Sequence, residues 1–345
     1  MEQLRPLLHS EEHWDQAIAL LVSLDDPELW KAVLDGMDER HLDRRVVGLL
    51  ARMPDDAPGV QQKRNRYRSV RLNSNSLLNA ELTPNIERIS WVRTQFGADT
   101  GCPDWFDELR KLRRLQRLEL DNAVIEDRPV LENLSRLEHL RLRQCTVHAL
   151  PELPAVRQLS LREVRGVRSV GTYPHLEWFE LTRGWGIGED ELRAFMSKRL
   201  EQVVLEQVSI ATVNFLEDAV ARDAPLRTVV LGAMRLVSID GVCNARHLRY
   251  LSVSNAKLDE IDAVATLPTL ERLTLVRTRV RSLEPLRKLR ELREVDLSGC
   301  EWIVSLEPLC RLPKLDKLTL SGTPFTPDNV PAALRECAVW PESFA

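Results

Sequence analysis

The fold is decided by residues 248–297, which read LRYLSVSNAKLDEIDAVATLPTLERLTLVRTRVRSLEPLRKLRELREVDL. This stretch repeats one pattern: an apolar residue, two others, a second apolar residue, one other, and a third apolar residue. Its copies are Leu248/Leu251/Val253, Leu270/Leu273/Leu275 and Leu292/Val295/Leu297. The copies begin 22 residues apart, and this period excludes both a heptad coiled coil and an ordinary helical bundle. We therefore expect a protein built from stacked repeats.

The same pattern extends along most of the 345-residue chain. Seven further clear copies begin at Leu115, Leu137, Val156, Leu176, Leu200, Leu226 and Leu315. Two weaker copies lie upstream, at Tyr67/Val70/Leu72 and Ile86/Ile89/Trp91. The chain contains 57 leucines, and the repeat explains why they are so many.

Each repeat predicts one short strand and one return segment. The last two apolar positions of the pattern alternate with outward residues, as in a strand that is buried on one face. The return carries apolar residues at intervals of three, for example Leu258, Ile261 and Val264, a spacing that suits a 3₁₀ or short helical turn. In the longer middle repeats, residues 189–199 and 212–222 have helical spacing and predict α-helices on the convex side.

These segments resemble the leucine-rich-repeat family over residues 67–330, and the 22-residue copies look most like its short-repeat class, typified by a protein-phosphatase regulatory subunit. The resemblance implies an α/β solenoid with a curved parallel β-sheet on the concave face and 3₁₀ or short helices on the convex face. The family places Asn, Cys or Thr three residues after the last strand leucine, where the side chain bonds the backbone. Here that position holds Cys145, Thr278, Cys300 and Thr323, whereas most middle repeats depart from the rule.

Breaks in the pattern divide the chain into four parts. We expect a helical N-terminal region at residues 1–58, where Asp26 and Pro27 suit an N-cap and a first helical position. Residues 59–66 form the expected linker, residues 67–323 the solenoid of about 10–12 repeats, and residues 324–345 a C-terminal cap. The sequence leaves open whether the N-terminal helices are a cap or a second contact site.

Composition restricts the class of protein. With 48 basic against 52 acidic residues the net charge is −4, so the chain is not a globally basic nucleic-acid binder. It has no run of eighteen apolar residues, which argues against a membrane span. The early charges of Glu2 and Arg5 argue against a signal peptide. The six scattered cysteines are interpreted as reduced thiols. We expect a cytoplasmic protein.

No constellation predicts catalysis. The segment 184–188 is rich in glycine and precedes a predicted helix, but Glu189, Asp190 and Glu191 would repel a phosphate there. The histidines and cysteines have no zinc-site spacing, and a phosphate-binding G-x-x-x-x-G-K-[ST] loop is absent. Basic runs at 63–71 and 110–117 are interpreted as solvated faces, which gives nucleic-acid binding little support. We expect no enzyme and no cofactor or metal.

The outward strand residues predict where a partner binds. Arg141, Arg143, Arg162 and Arg183 are expected to form a cationic patch. Trp178, with Trp185 as a further candidate, is expected to begin an apolar strip that continues through Val204, Val230 and Tyr250. The candidate partner-binding residues are His139, Arg141, Arg143, Arg162, Trp178, Glu180, Arg183, Trp185, Val204, Val230 and Tyr250. Arginine and aromatic clusters commonly anchor protein interfaces, so we expect a partner with acidic and apolar groups.

Several functional alternatives stay open. The first is a non-catalytic recognition scaffold that binds a protein through its concave face. The second is a regulatory or sensor subunit of a larger signalling complex, and the third is an effector or enzyme that acts through the N-terminal helices. Trp178 could also simply pack against its neighbours. The sequence specifies neither the partner nor the oligomeric state.

Overall fold

The computed structural model describes residues 29, 33, 69–72, 86–92, 104–125, 131–233 and 235–341. Leu29 and Val33 are helical. The rest of the predicted helical region 1–58 and the whole predicted linker 59–66 lie outside the described residues, as do positions 342–345 of the predicted C-terminal cap. The chain divides into two compact units, Met1–Thr146 and Val147–Ala345.

The first unit contains parallel strands at the predicted positions. Its strands are β1 (Ser69–Leu72), β2 (Arg88–Val92), β3 (Arg117–Asp121), β4 (Val124–Ile125) and β5 (His139–Arg143). β1 pairs with β2, β2 with β3, and β3 with β5, all in parallel. Two 3₁₀ helices, Asp104–Lys111 and Leu131–Asn133, lie between them in sequence. β6 (Thr146–Val147) lies at the boundary.

The second unit repeats the same arrangement. Its strands are β7 (Ala149–Leu150), β8 (Gln158–Arg162), β9 (Ser169–Val170), β10 (Trp178–Thr182), β11 (Gln202–Glu206), β12 (Thr228–Gly232), β13 (Tyr250–Ser254), β14 (Arg272–Val276), β15 (Glu294–Asp296), β16 (Lys317–Thr319) and β17 (Ala338–Val339). The strands from β8 to β17 pair in sequence order into one parallel sheet, with only β9 outside it. β9 pairs with β7 in a separate small sheet.

Burial follows the alternation that the sequence predicts. In β5, Leu140 and Leu142 are 1% and 0% exposed, whereas Arg141 and Arg143 are exposed. Each fully buried leucine contributes roughly 1.5–3 kcal/mol relative to an exposed one. The inward residues of successive strands therefore form the core.

The return segments are mostly 3₁₀ helices, as predicted. In the second unit they span Asn214–Leu216, Asp240–Val242, Asp262–Thr266, Glu284–Lys288, Glu307–Leu309 and Ala332–Leu334. The α-helices predicted for 189–199 and 212–222 are much shorter: α1 spans Glu189–Arg193 and α2 spans Glu217–Ala221. A return segment must rejoin the next strand within a few residues, which leaves room for little more than one helical turn.

The chain leaves most strands through a residue in the left-handed conformation. This residue comes two positions after the last strand leucine or valine, and its φ lies between 51° and 70° in successive repeats. The residues are Asn122, Gln144, Glu163, Arg183, Gln207, Ala233, Asn255, Arg277, Gly299 and Gly322. Only two are glycines, so stacking against neighbouring turns overrides the usual cost of this conformation.

Next in each turn comes the family's Asn, Cys or Thr position, where Cys145, Cys300 and Thr323 bond backbone carbonyl oxygens as the resemblance implies. The Thr278 hydroxyl instead lies 3.2 Å from the Cys300 thiol. The Cys300 thiol lies 2.6 Å from the Leu275 carbonyl oxygen, and Cys145 lies 3.2 Å from the Arg143 carbonyl oxygen. Burial raises the pKa of Cys145 to about 12 and also raises the pKa of Cys300. Both thiols are therefore neutral, packed parts of the turns.

The C-terminal segment continues the sheet instead of only shielding it. β17 pairs with β16, and the indole N–H of Trp340 donates to the Phe325 carbonyl oxygen at 2.9 Å. Val330 and Leu334 are buried in the same segment.

An aromatic cluster fills the core beside β10. The ring of Phe195 lies 4.4 Å from that of Phe179 and 5.2 Å from that of Tyr173, between ring centroids. The Tyr173 hydroxyl is buried without a hydrogen-bond partner among the described residues, and burial raises its pKa. A buried hydroxyl without a partner costs stability.

We predict that Tyr173→Phe keeps or raises the free energy of unfolding, by up to about 1 kcal/mol, because it removes this hydroxyl and retains the ring. Urea unfolding followed by circular dichroism measures the effect. As a control, Phe195→Ala removes the central ring and should cost about 3–5 kcal/mol. A clear loss of stability in Tyr173→Phe would contradict the assignment.

We predict that Cys145 and Cys300 resist a thiol reagent such as DTNB at pH 8 in the folded protein. Only a thiolate reacts, and with a pKa of about 12 the Cys145 thiolate fraction is on the order of 10⁻⁴ at that pH. Denaturant should expose both thiols. Modification of Cys145 at the rate seen in the unfolded chain would contradict the packed turn.

Candidate interaction surface

Outward side chains of the second unit form rows across the strands, because the strands are parallel and in register. Glu180, Val204 and Val230 occupy the middle position of β10, β11 and β12 and are direct neighbours in the pairing. Val204 and Val230 are half-buried. The register therefore brings the two predicted valines into one apolar pair.

A second row joins the two predicted aromatic residues. Trp178, Gln202, Thr228 and Tyr250 are successive partners on β10 to β13. Adjacent strands lie about 4.8 Å apart, so the backbones of Trp178 and Tyr250 are roughly 14 Å apart. Sequence reasoning missed that the Arg272 guanidinium lies 4.7 Å from the Tyr250 ring centroid. This cation–π contact holds the Tyr250 ring in place.

A third row contains the buried residue Gly232. Its neighbours in the pairing are Glu206 and Ser254, and a Cβ at this position would lie 3.3 Å from a side-chain atom of each. The side chains of Glu206 and Ser254 therefore occupy the space beside the glycine, and a larger residue there would have to displace them.

The outward positions of β11, β12 and β13 define what we call the neutral strip. They are Gln202, Val204, Glu206, Thr228, Val230, Gly232, Tyr250, Ser252 and Ser254. Only one of these nine residues is charged, in a chain that is 29% charged. Such depletion of charge is typical of the centre of a protein interface.

Glu180 is a buried structural residue. It is 5% exposed, and its carboxylate accepts hydrogen bonds from the Ser160 hydroxyl at 2.8 Å and from Arg162 Nε at 2.7 Å. Its carboxylate is engaged in hydrogen bonds within the protein. The sequence predicted that Glu180 faces a partner, and the structure corrects this.

Most of the predicted cationic patch is neutralised by carboxylates. Arg143 pairs with Asp121, Arg162 with Glu180 at 2.5 Å, and Arg183 with Glu163 at 3.1 Å. The sequence could not reveal this, because the partners lie 18 to 22 residues apart and meet only through stacking.

The other predicted residues lie in different surroundings. His139 and Arg141 lie on β5 of the first unit, with Arg141 exposed and without an ion pair among the described residues. Trp185 lies in the turn after β10, where it is 47% exposed, and the Arg165 guanidinium lies 4.7 Å from its ring centroid. The structure therefore places Trp185 outside the row that contains Trp178.

In the parts of the chain that the structure describes, no three His, Cys, Asp or Glu side chains are grouped so as to hold a metal ion. Among those same residues, none of the helices has both the length and the apolar character needed to cross a membrane.

The repeated strand, left-handed turn and 3₁₀ return define a leucine-rich-repeat solenoid, and comparison with solved structures agrees. The chain is similar to an internalin (inlF) from Listeria monocytogenes, with a TM-score of 0.58 at 15% identity, over 90% of this chain and 93% of that one. It is also similar to a leucine-rich-repeat protein of Leptospira interrogans, with a TM-score of 0.50 at 15% identity, over 79% and 82%. The predicted fold is thus confirmed.

A third similar structure is TLR13 in its complex with ssRNA13, with a TM-score of 0.59 at 18% identity. The match covers 83% of this chain but only 42% of that chain. No protein-family model matches the sequence, and no curated protein matches it. These similarities establish the fold, while the 22-residue repeat class stays a prediction.

We predict that Arg162→Leu lowers the free energy of unfolding by about 1–3 kcal/mol, because it leaves the Glu180 carboxylate buried without its charged partner. The matched control is Arg157→Leu, whose ion pair with Glu177 at 3.1 Å is solvent-exposed and should contribute less than about 1 kcal/mol. Urea unfolding measures both. Equal losses in the two variants would contradict the role of Glu180 burial.

Proposed function

We propose that this protein is a non-catalytic recognition scaffold that binds a protein partner through the neutral strip. The observation that carries the proposal is the charge-poor concave surface of β11, β12 and β13, which contains Val204, Val230 and Tyr250 and is bordered by Trp178 on the neighbouring strand β10. The chain is 29% charged, so nine solvated positions would carry about three charges on average, whereas the neutral strip carries one.

Rigidity supports the same function. The strip is built on three paired strands of five residues each, so binding requires little ordering of the backbone. The ring of Tyr250 is already held by Arg272. A preorganised Tyr250 beside the apolar pair Val204 and Val230 has the arrangement of an interface hot spot.

The ion pairs of the predicted cationic patch also change the chemistry that we expect of the partner. Arg162 and Arg183 are already paired with carboxylates, so they offer an approaching acidic group less than four free arginines would. We therefore propose a partner that presents mainly apolar and uncharged polar groups to the neutral strip.

A photo-crosslinking amino acid placed at Thr228 tests the proposal in native cells. Thr228 is half-buried in the row between Trp178 and Tyr250, so we expect it to crosslink one predominant protein. The same amino acid at Arg311, an exposed residue away from the strip, serves as the control. An identical crosslinking pattern at both positions, or none at Thr228, would overturn the proposal.

We predict that Trp178→Ala combined with Tyr250→Ala weakens binding of the captured partner by about 30-fold or more, because truncation of a hot-spot aromatic residue costs about 2 kcal/mol. Isothermal titration calorimetry with the purified partner measures the loss. Val237→Ser is the matched control, because Val237 is 51% exposed and lies outside the strands. Unchanged affinity in a folded double variant would exclude these two residues as anchors.

A further inference from the structure

Three exposed arginines, Arg277, Arg279 and Arg281, lie in and just after the turn that follows β14. Residues 278–281 have no regular secondary structure, and Thr278 and Val280 are 3% and 0% exposed. Arg277, Arg279 and Arg281 alternate with them and are exposed. Arg277 itself has the left-handed conformation of the turn, with a φ of 52°, and the alternation of buried and exposed residues after it brings Arg279 and Arg281 to one side. The turn and the segment after it therefore present three exposed guanidinium groups close together in the chain.

Stacking of the repeats adds basic residues from the two preceding turns to this group. Arg235 and Lys257 occupy the position of Arg279 in the two preceding repeats, each four residues after the last strand leucine or valine, and both are exposed. The Arg279 N–H donates to the Leu258 carbonyl oxygen at 3.0 Å, so the neighbouring turns are in direct contact. We call Arg235, Lys257, Arg277, Arg279 and Arg281 the basic ridge.

The residues of the basic ridge are not held in ion pairs. None of its five residues forms an ion pair with a carboxylate of the described chain. Other arginines of the same repeats do so: Arg249 lies 3.2 Å from Glu271, and Arg293 lies 3.4 Å from Asp316. Alternate unpaired guanidinium groups are suited to carboxylates or phosphates.

Exposed apolar side chains lie beside the basic ridge. Trp302 is 55% exposed, and the Arg281 guanidinium lies 5.6 Å from its ring centroid. Val304 is 78% exposed, and its N–H donates to the Arg281 carbonyl oxygen at 3.1 Å. The cationic row thus has an apolar edge that could receive a hydrophobic side chain.

A cleft lies on the other side of Arg277. It has a volume of about 540 Å³ and is lined by the basic residues Arg277 and Lys317 and by the acidic residues Asp296 and Glu301. A Cβ on Gly299 would lie 2.7 Å from Arg277 Cγ, so the aliphatic part of Arg277 rests where glycine leaves space. The two acidic residues balance the formal charge of Arg277 and Lys317, so the cleft adds no net positive charge to the basic ridge.

Nearby carboxylates favour a peptide over a nucleic acid. Asp259, Glu260 and Glu301 are exposed close to the ridge in sequence and would repel an unbroken phosphate backbone, which carries a charge at every nucleotide. A peptide can place neutral residues opposite them. The side chains of an extended peptide also alternate with a two-residue period, which matches the alternation that exposes Arg279 and Arg281.

We propose that the basic ridge binds an acidic protein segment in extended conformation. Carboxylates on alternate residues face Arg277, Arg279 and Arg281, and an apolar residue packs against Trp302 and Val304. The ridge lies on the turns and not on the strands, so this proposal stands independently of the neutral strip.

Fluorescence anisotropy with the full chain tests the proposal. The probe is a labelled peptide, acetyl-Glu-Ser-Glu-Val-Glu-Leu, and its control has glutamine in place of each glutamate. The test variant is Arg277→Gln, Arg279→Gln and Arg281→Gln combined. The charge-matched control is Lys288→Gln, Arg290→Gln and Arg311→Gln combined, which removes three exposed cations from the return segments. Labelled oligouridine tests the nucleic-acid alternative.

We expect the wild type to bind the glutamate peptide in preference to the glutamine peptide, and added salt to weaken binding. The ridge variant should lose about tenfold or more in affinity, because three charge-assisted contacts are removed, while the charge-matched variant stays within about twofold. The single substitution Trp302→Leu should also weaken binding of the glutamate peptide.

Equal losses in the two triple variants would mean that net charge alone attracts the peptide, and would overturn the proposal. It would also be overturned if the wild type failed to distinguish the glutamate from the glutamine peptide, or if oligouridine bound more tightly than the glutamate peptide. Circular dichroism must give the same spectrum for each variant as for the wild type, so that a loss of binding reports on the surface.

Discussion

The structure depends on one constraint: a single repeat cannot bury its own apolar face. A strand of five residues has two inward side chains, and these become buried only when the next strand pairs with it and the return segment closes over them. Leu251 and Leu273, for example, belong to two neighbouring repeats and are 0% and 1% exposed. Stacking also satisfies the strand backbones and imposes the left-handed turn on residues such as Arg183 and Gln207. Core, sheet and turn conformation are therefore consequences of the same contacts between neighbours.

The same stacking determines the chemistry of the outer surface. Residues about 22 positions apart in sequence become neighbours roughly 4.8 Å apart, so each outward side chain meets the equivalent residue of the next repeat. Where the pair has opposite charges, as in Arg249 and Glu271, the charges are satisfied internally. Where neighbours are uncharged, as in Val204 and Val230, a neutral strip forms, and where they are all basic, the basic ridge forms. A single scaffold thus presents two chemically different surfaces, one on its strands and one on its turns.

The repeat period made the fold predictable, and its irregularities explain the errors. The strand positions follow directly from the triplets, and the bonding of Cys145 and Cys300 to backbone oxygens follows from the family pattern. The predicted α-helices were too long, because helical spacing does not show how soon the chain must rejoin the sheet. The apolar part of the candidate surface, Val204 with Val230, emerged from strand alternation alone. The cationic part did not, because alternation reveals that Arg162 is outward but not that Glu180 is already bound to it.

The sequence by itself determined the period, the strands and which side chains face inward, because these properties depend on residues close together in the chain and on the geometry of a single strand. Tertiary structure alone decided which outward residues are neighbours. It turned the predicted cationic patch into ion pairs, buried Glu180, placed Arg272 on Tyr250, and aligned Arg235, Lys257 and Arg279 into a ridge. The physical reason is that such contacts join different repeats, so they exist only after the repeats have stacked in one particular register.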